Sequence, residues 1–455
     1  MEAEIVVKEV NGTKIRSYAY NGQIPGPVLR VKQGSIIYVN FTNNIDEPTT
    51  VHWHGIRLEN KYDGVPNITQ EEVMPSQSFL YRVDFPDAGV YWYHPHVRED
   101  LEQGLGLYGV IIVDPNETDY YDQVNSENVL VLNDMLLNGS DVWPYGTNDT
   151  NFALMGRFGN TLLVNGQANY SLSVKKGEVV RFYILDAANV RPFNLSIENT
   201  SFKIVGSDGG KYEKDFFSNS VIISPSERYT VEVAFNQSGT FRLFNQNPLQ
   251  NYTLGEINVQ NSNDNNSVDL NTLKENDDVK KSIENYSSYF DTPPNFTYVL
   301  TIDIPGAIPM DNITRALMGE SKDGIEWEDT MFGMNSHSTT EQARWMIKDN
   351  VTGKTNMDAM QTVTINEPIK ILIKNDENSE HPMQHSIHLH GAQFLILKTN
   401  GVKNDDLVWK DTVLIPSGGS VELLTYFPHE GEWMMHCHIA EHLESGMMTA
   451  FNVTG

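Results

Sequence analysis

Two short landmarks recur three times along this 455-residue chain, and their recurrence restricts the fold more than any other feature. The first is a turn that opens a β-rich run. It occurs as Val31-Lys32-Gln33-Gly34 before a strand ending near Asn43, Val174-Lys175-Lys176-Gly177 before one ending near Asp186, and Ile365-Asn366-Glu367-Pro368 before one ending near Asn375. The second closes each unit, as Gly89-Val-Tyr-Trp-Tyr-His94, Gly239-Thr-Phe-Arg-Leu-Phe244 and Gly431-Glu-Trp-Met-Met-His436. Self-similarity of this kind means three copies of one structural unit. Between the landmarks, short runs of Val, Ile, Tyr, Phe and Thr alternate with Gly, Pro, Asn and Asp, and 3.6-period stretches are scarce. The fold class is therefore all-β, built from consecutive sandwich or barrel domains.

A chain of this length exceeds what one core supports, so several domains are expected. The landmarks place them at residues 1–120, 121–262 and 286–455, with a polar linker at 263–285 inside the Asn, Asp, Ser and Lys-rich stretch Asn261–Ser288. Pro305–His337 has no clear period and reads as an irregular excursion of the third unit. Its methionines, Met310, Met318, Met331 and Met334, are read as packing residues before metal-handling ones.

Sixty acidic against 32 basic residues give a net charge of −28, which argues against nucleic acid and anionic membrane surfaces as partners. No apolar run is long enough to span a bilayer. The opening Met1-Glu2-Ala3-Glu4 lacks the pattern of a signal peptide, whereas sequons at Asn11, Asn40, Asn67, Asn138, Asn194, Asn251 and Asn312 suit an exported, extracellular or periplasm-like protein whose signal has been removed. The single cysteine, Cys437, forms no intramolecular disulfide and is either an inert core residue or a ligand.

Its neighbours decide between these. Ten of the thirteen histidines fall into four clusters: His52 with His54, His94 with His96, His385 with His388 and His390, and His436 and His438 around Cys437 with His442 following. Residues two apart on a strand point to the same face, so each His-x-His presents two imidazoles side by side, as a polynuclear metal site requires. The same alternation puts Cys437 on the opposite face from His436 and His438, so a metal on the sulfur side is joined by covalent backbone to metals on the imidazole side. The middle unit has Phe193-Asn194-Leu195 and Phe244 where the outer units have histidine, which assigns the chemistry to units one and three. His385, His442 and Met447 complete the cysteine side, and two His, a thiolate and a weak axial Met form the ligand set of a blue copper. Zinc binds such groups but carries no electrons.

These motifs resemble those of the multicopper oxidases: His-Trp-His-Gly at 52–55, His-Pro-His at 94–96, His-x-x-His-x-His-Gly at 385–391 and His-Cys-His-x3-His-x4-Met at 436–447. The resemblance covers all three units and implies three cupredoxin-like Greek-key domains holding four copper ions. By motif position, it puts His385, Cys437, His442 and Met447 at the type 1 copper, and His52 and His388 at the type 2 copper. His54, His94, His96, His390, His436 and His438 fall at the type 3 pair. The activity it implies is laccase-like, with one-electron oxidation of phenols or aromatic amines coupled to reduction of O2 to water.

Reduction of O2 also consumes protons, and Asp63, eleven residues after His52, stands where similar bacterial oxidases keep an acid beside the type 2 site. A carboxylate often found just after the second type 1 histidine is absent, since that position is Leu443, with Glu444 one residue on. Substrate entry is expected at the exposed edge of a type 1 histidine, where His381 and Met383 are candidate lining residues; lone His337 and His429 are read as surface or core residues. A cuprous or ferrous oxidase for metal tolerance is the alternative enzyme, favoured by the acidic surface and the methionines of the excursion. A non-catalytic copper-binding cupredoxin is the alternative of another class, and intact pairs in every cluster weigh against it.

Overall fold

The computed structural model describes all residues except 148, 263–267, 269 and 307–321, so that Met310, Met318, Asn312 and part of the expected linker lie outside the described residues. Each unit is built from two facing sheets. In the first, Thr13–Tyr20, Glu2–Val10, Ile36–Asn44 and Ser78–Asp84 form one layer, and Leu29–Lys32, Gly109–Asp114, Gly89–His94 and His52–His54 form the other. The middle unit pairs a six-stranded sheet running from Thr161–Val164 to Gly210–Ser218 with a five-stranded one from Tyr170–Lys175 to Val221–Ile223. In the third, a six-stranded sheet centred on Ile369–Asn375 and Ser420–Tyr426 faces a five-stranded sheet in the order Gln361–Thr364, Met448–Thr454, Gly431–Cys437, His385–Leu389, Thr412–Ile415. The protein is all-β, with a few short helices, and no helix among the described residues is long and apolar enough to cross a membrane.

The sequence repeat is a repeat of strand pairing. His52–His54 lies antiparallel to Gly89–His94 with His52 opposite His94, and His385–Leu389 lies antiparallel to Gly431–Cys437 with His388 opposite His436. The middle unit repeats the arrangement with Phe193–Ile197 against Gly239–Gln246. Each sandwich closes over an apolar cluster, around Trp53, Tyr81 and Ile111 in the first, Phe182, Phe193 and Val231 in the second, and Trp345, Ile371 and Trp433 in the third, where Ala153, Leu154 and Met155 of the middle unit join it. The alternate residues of the histidine strands feed these cores: Trp53 enters the first, and Ile387, Leu389 and Cys437 enter the third, leaving His52, His54, His388 and His436 to face the other way.

The second half of the polar stretch between units two and three holds a helix that its composition does not announce. Asp277–Glu284 is helical, and its two apolar residues four apart, Val279 and Ile283, dock on Leu395, Leu397, Leu407 and Leu424 of the third unit. Further on, Phe332–Asn335 forms a single helical turn, whose Asn335 side chain accepts from the backbone N–H of Met155 and donates to the carbonyl of Gly156. Part of the excursion is thereby tied to a loop of the middle unit.

Candidate metal centre

Eight histidines from the four His-x-His pairs converge in one chamber between the first and third units, all of them buried. Rings from the two units interleave. His54 stacks on His388 with centroids 3.6 Å apart, His52 stacks on His390 at 4.1 Å, and His96 lies 5.2 Å from His436 and His94 4.9 Å from His438. Seven of the eight rings have one nitrogen held from outside the chamber. His52 Nδ1 contacts the Asp63 carbonyl at 2.7 Å, His94 Nδ1 that of Pro95 at 2.8 Å, His388 Nδ1 that of Asp411 at 2.8 Å and His436 Nδ1 that of Cys437 at 2.9 Å. Carboxylates hold the rest: Asp63 Oδ2 lies 2.8 Å from His390 Nδ1, Asp411 Oδ1 3.0 Å from His54 Nε2, and Glu99 Oε1 3.2 Å from His96 Nδ1.

Anchoring one ring nitrogen fixes the tautomer and points the lone pair of the other inward. The inward nitrogens of His52, His54, His96 and His388 have no hydrogen-bond partner in the protein. An orphaned buried nitrogen is costly, and several aimed at one space are costly together unless a cation sits there. Burial, followed by the neighbouring imidazoles, holds His94, His96, His390, His436 and His438 well below the usual histidine range, so the rings are neutral donors. Triads such as His52, His388 and His390, or His96, His390 and His436, present donor atoms within 4.8 Å of one another. The donor set fits a polynuclear metal site.

On the opposite face of the strand, Cys437 Sγ lies 3.5 Å from His385 Nδ1 and 3.9 Å from His442 Nδ1, and the two nitrogens are 3.4 Å apart. Met447 is fully buried in the same apolar cluster, with its backbone carbonyl 3.0 Å from the Cys437 nitrogen. Burial pushes the Cys437 thiol up to about 12 and the His385 imidazole down to about 3. In the metal-free protein the pocket thus holds a neutral thiol and neutral imidazole. A thiol so reluctant to ionise becomes a thiolate only with a cation bound to it, which is the behaviour of a soft-metal ligand set.

The expected exposed histidine edge is not found, since His385 is 1% and His442 0% exposed. Trp345, itself fully buried, stacks on His442 at 4.1 Å and meets His385 edge-on at 4.8 Å, covering both rings. His381 is buried 6.3 Å from Trp345, with burial lowering its imidazole to about 4, and Met383 packs in the third-unit core. Of the lone histidines, His337 is exposed and His429 half-buried.

Asp63 is buried against two chamber histidines at once, through its carbonyl on His52 and its carboxylate on His390. Leu443 packs with Val65 and Met434, while Glu444 turns back to accept from the backbone N–H of Glu99 at 3.1 Å. Burial and the Asp100 charge push the Glu444 carboxyl up to about 8, and burial pushes Glu441 to about 7. Three residues in direct or relayed contact with the chamber escape sequence reading: Asp411, Glu99 and the middle-unit Arg228, whose guanidinium forms two bonds of 2.5 and 2.6 Å to the Asp411 carboxylate. Asp411 lies 357 positions from His54, and no local pattern links the two.

Three family models, each described as multicopper oxidase, match residues 4–118, 115–272 and 329–455. The multicopper oxidase mco of Staphylococcus aureus is 25% identical over 97% of this chain and 85% of its own length. Laccase-1 of Botryotinia fuckeliana is 25% identical over 95% of this chain and 77% of its own length. A solved multicopper oxidase from Campylobacter jejuni, titled a metallo-oxidase, superposes over the whole of this chain and 91% of that one with a TM-score of 0.73 and 23% identity, which speaks to the fold. With buried imidazole and thiol donors set out on two faces of one strand, the fold and site define a copper-dependent oxidoreductase of cupredoxin architecture. The chain belongs to the multicopper oxidase family, whose members use copper cofactors and take O2 as electron acceptor.

Proposed function

We propose that the protein is a laccase-like oxidase that couples one-electron oxidation of phenols or aromatic amines to the four-electron reduction of O2 to water. The observation carrying this reading is the strand Gly431–Cys437, which continues to His438 and turns a thiol into one pocket and its two flanking imidazoles into another. His385, Cys437, His442 and Met447 would hold a type 1 copper, His52 and His388 a type 2 copper, and His54, His94, His96, His390, His436 and His438 a type 3 pair. The four ions would supply the one-electron redox steps and the binding of O2.

The chain's own residues supply the rest. Neutral, pre-oriented imidazoles lose little entropy on binding metal. The apolar wall around Cys437 keeps water from the thiolate. Asp63, in contact with rings from both units, is placed to hand protons into the chamber, and Glu444 beside Glu99 is the second candidate donor. Export is supported by the exposed sequon residues Asn11, Asn67 and Asn138.

A second reading, a cuprous or ferrous oxidase, is favoured by one observation: the rings of His385 and His442 are covered, leaving no open imidazole edge for a bulky aromatic donor. Side-by-side kinetics on a phenol, Fe(II) and Cu(I), with O2 uptake recorded, separate the two by which donor gives the larger kcat/KM. About four coppers per chain with blue and near-ultraviolet absorption are expected. A single copper would instead indicate a cupredoxin carrier and sink the oxidase assignment.

A further inference from the structure

The middle unit contributes none of the eight chamber histidines, yet it buries charge against the chamber. Arg228, Asp208, Glu227 and Lys410 are all buried where the three units meet. Burying a guanidinium costs several kcal/mol unless every N–H is paired. Arg228 pairs four of its five N–H groups by reaching all three units: Nε donates to the carbonyl of Val90 on the strand leading to His94, Nη1 to the Ser226 carbonyl of its own unit, and Nη1 and Nη2 to the two oxygens of Asp411 in the third.

Asp208 completes the arrangement. It accepts from the backbone N–H groups of Arg228 at 2.8 Å, Asp411 at 3.2 Å and Thr412 at 3.3 Å. Its left-handed φ of +44° is that of the two-residue hairpin turn 208–209 joining Phe202–Ser207 to Gly210–Ser218. Lys410, the residue before Asp411, donates to Ser207 and pairs with Glu227. Three successive residues, 410 to 412, are thus fastened to the middle unit. On the far side, a β-carbon at Gly55 would stand 2.3 Å from Asp411 Oδ2 and 2.9 Å from Arg228 Nη2, so the glycine after His54 is what lets the ion pair approach the first unit.

Asp411 in turn touches one histidine from each outer unit. Its Oδ1 accepts from His54 Nε2–H and its carbonyl from His388 Nδ1–H, and these are the two rings stacked 3.6 Å apart. A carboxylate on a single freely rotating bond would not fix His54, whereas His388 is held by the backbone carbonyl of the same residue, whose own N–H is bonded to Asp208. Two parallel guanidinium bonds remove that rotation.

We infer that the middle unit serves as a clamp on the histidine chamber, with Arg228 the positioning residue that locks the Asp411 carboxylate and, through it, the ring orientation and tautomer of His54, on which His388 is stacked. The inference rests on the reading above in which those two rings are copper ligands. Lysine keeps the charge but lacks the fork that grips both oxygens, so Arg228→Lys in the copper-loaded enzyme tests it directly. Copper at the three chamber sites is expected to bind about 10–100-fold more weakly, with reduced metal content and near-ultraviolet absorption, while the blue absorption of the Cys437 site stays at the wild-type level. Arg228→Gln combined with Asp411→Asn replaces the pair by uncharged partners of similar shape and is expected to give the same split. Wild-type copper content and near-ultraviolet absorption in Arg228→Lys would overturn the clamp. So would a loss of blue absorption in proportion to the rest, or failure of both variants to fold, since either makes Arg228 a general fold residue. Wild-type protein that binds one copper and lacks the near-ultraviolet band would overturn the underlying ligand reading, a result visible before any variant is made.

Discussion

The two pockets on either side of Cys437 are built on different principles. The sulfur pocket draws its four donors from one unit and holds them by packing: Trp345 lies on His442, and Cys437 and Met447 sit in an apolar cluster with no carboxylate on either imidazole among the described residues. The chamber draws its donors from two units and holds them by hydrogen bonds to Asp63 and Asp411 and to backbone carbonyls, with Glu99 Oε1 3.2 Å from His96. Packing fixes positions within one sandwich. Across an interface between sandwiches, directional bonds and buried charge do that work, and a third unit is recruited to anchor them.

Four measurements would break or sharpen this contrast. Removing the link between the pockets has the largest expected effect: Cys437→Ser should abolish blue absorption and turnover while the far-ultraviolet circular dichroism is unchanged, and normal O2 consumption in that variant would refute the coupling through Cys437. Next, Asp63→Asn keeps an acceptor for His390 but removes the ionisable group, so kcat should fall about 10²–10⁴-fold with the blue band intact. A change in KM alone would assign Asp63 to structure.

The third concerns pH and the metal-free protein. His381 and His385 are lowered to about 4 and about 3, so the unfolded chain binds protons first as pH falls below 6.5. Stability present above pH 6.5 is therefore lost as pH drops toward 4, by roughly 3 kcal/mol for His381 alone. Urea midpoints between pH 7 and 4.5 should decline, and His381→Gln should flatten part of the slope; an unchanged slope in that variant would show that His381 is not held neutral by burial. The smallest effect is expected from Trp345→Phe, which loses the indole N–H bond to the Ala153 carbonyl. It should cost about 1 kcal/mol and perturb the blue absorption, leaving the near-ultraviolet band alone. A change at the chamber instead would mean that the two pockets are not separately held.

Much of this was legible because strand geometry has a fixed period. His52 with His54 and His436 with His438 had to share a face and Cys437 had to oppose it, whatever the rest of the chain did. The recurrence of Gly89, Gly239 and Gly431 likewise marked equivalent strands before any coordinates. What could not be read depends on contacts without local pattern. Asp411 and Arg228 meet across 183 positions, and Trp345 reaches His442, on the short helix Ala440–Glu444, from the strand Arg344–Asp349. The helix Asp277–Glu284 was hidden because only Val279 and Ile283 mark its docking side in an otherwise polar run.

The interleaving of rings from the two outer units also sets a schedule. During synthesis the first sandwich, with four chamber imidazoles, is complete hundreds of residues before His436 and His438 emerge from the ribosome. Until then those four rings face an open side, where a stray ion could be captured by half a site. The intact chamber therefore comes into being only once the third sandwich has been made, and loading it is a late event in the maturation of the molecule.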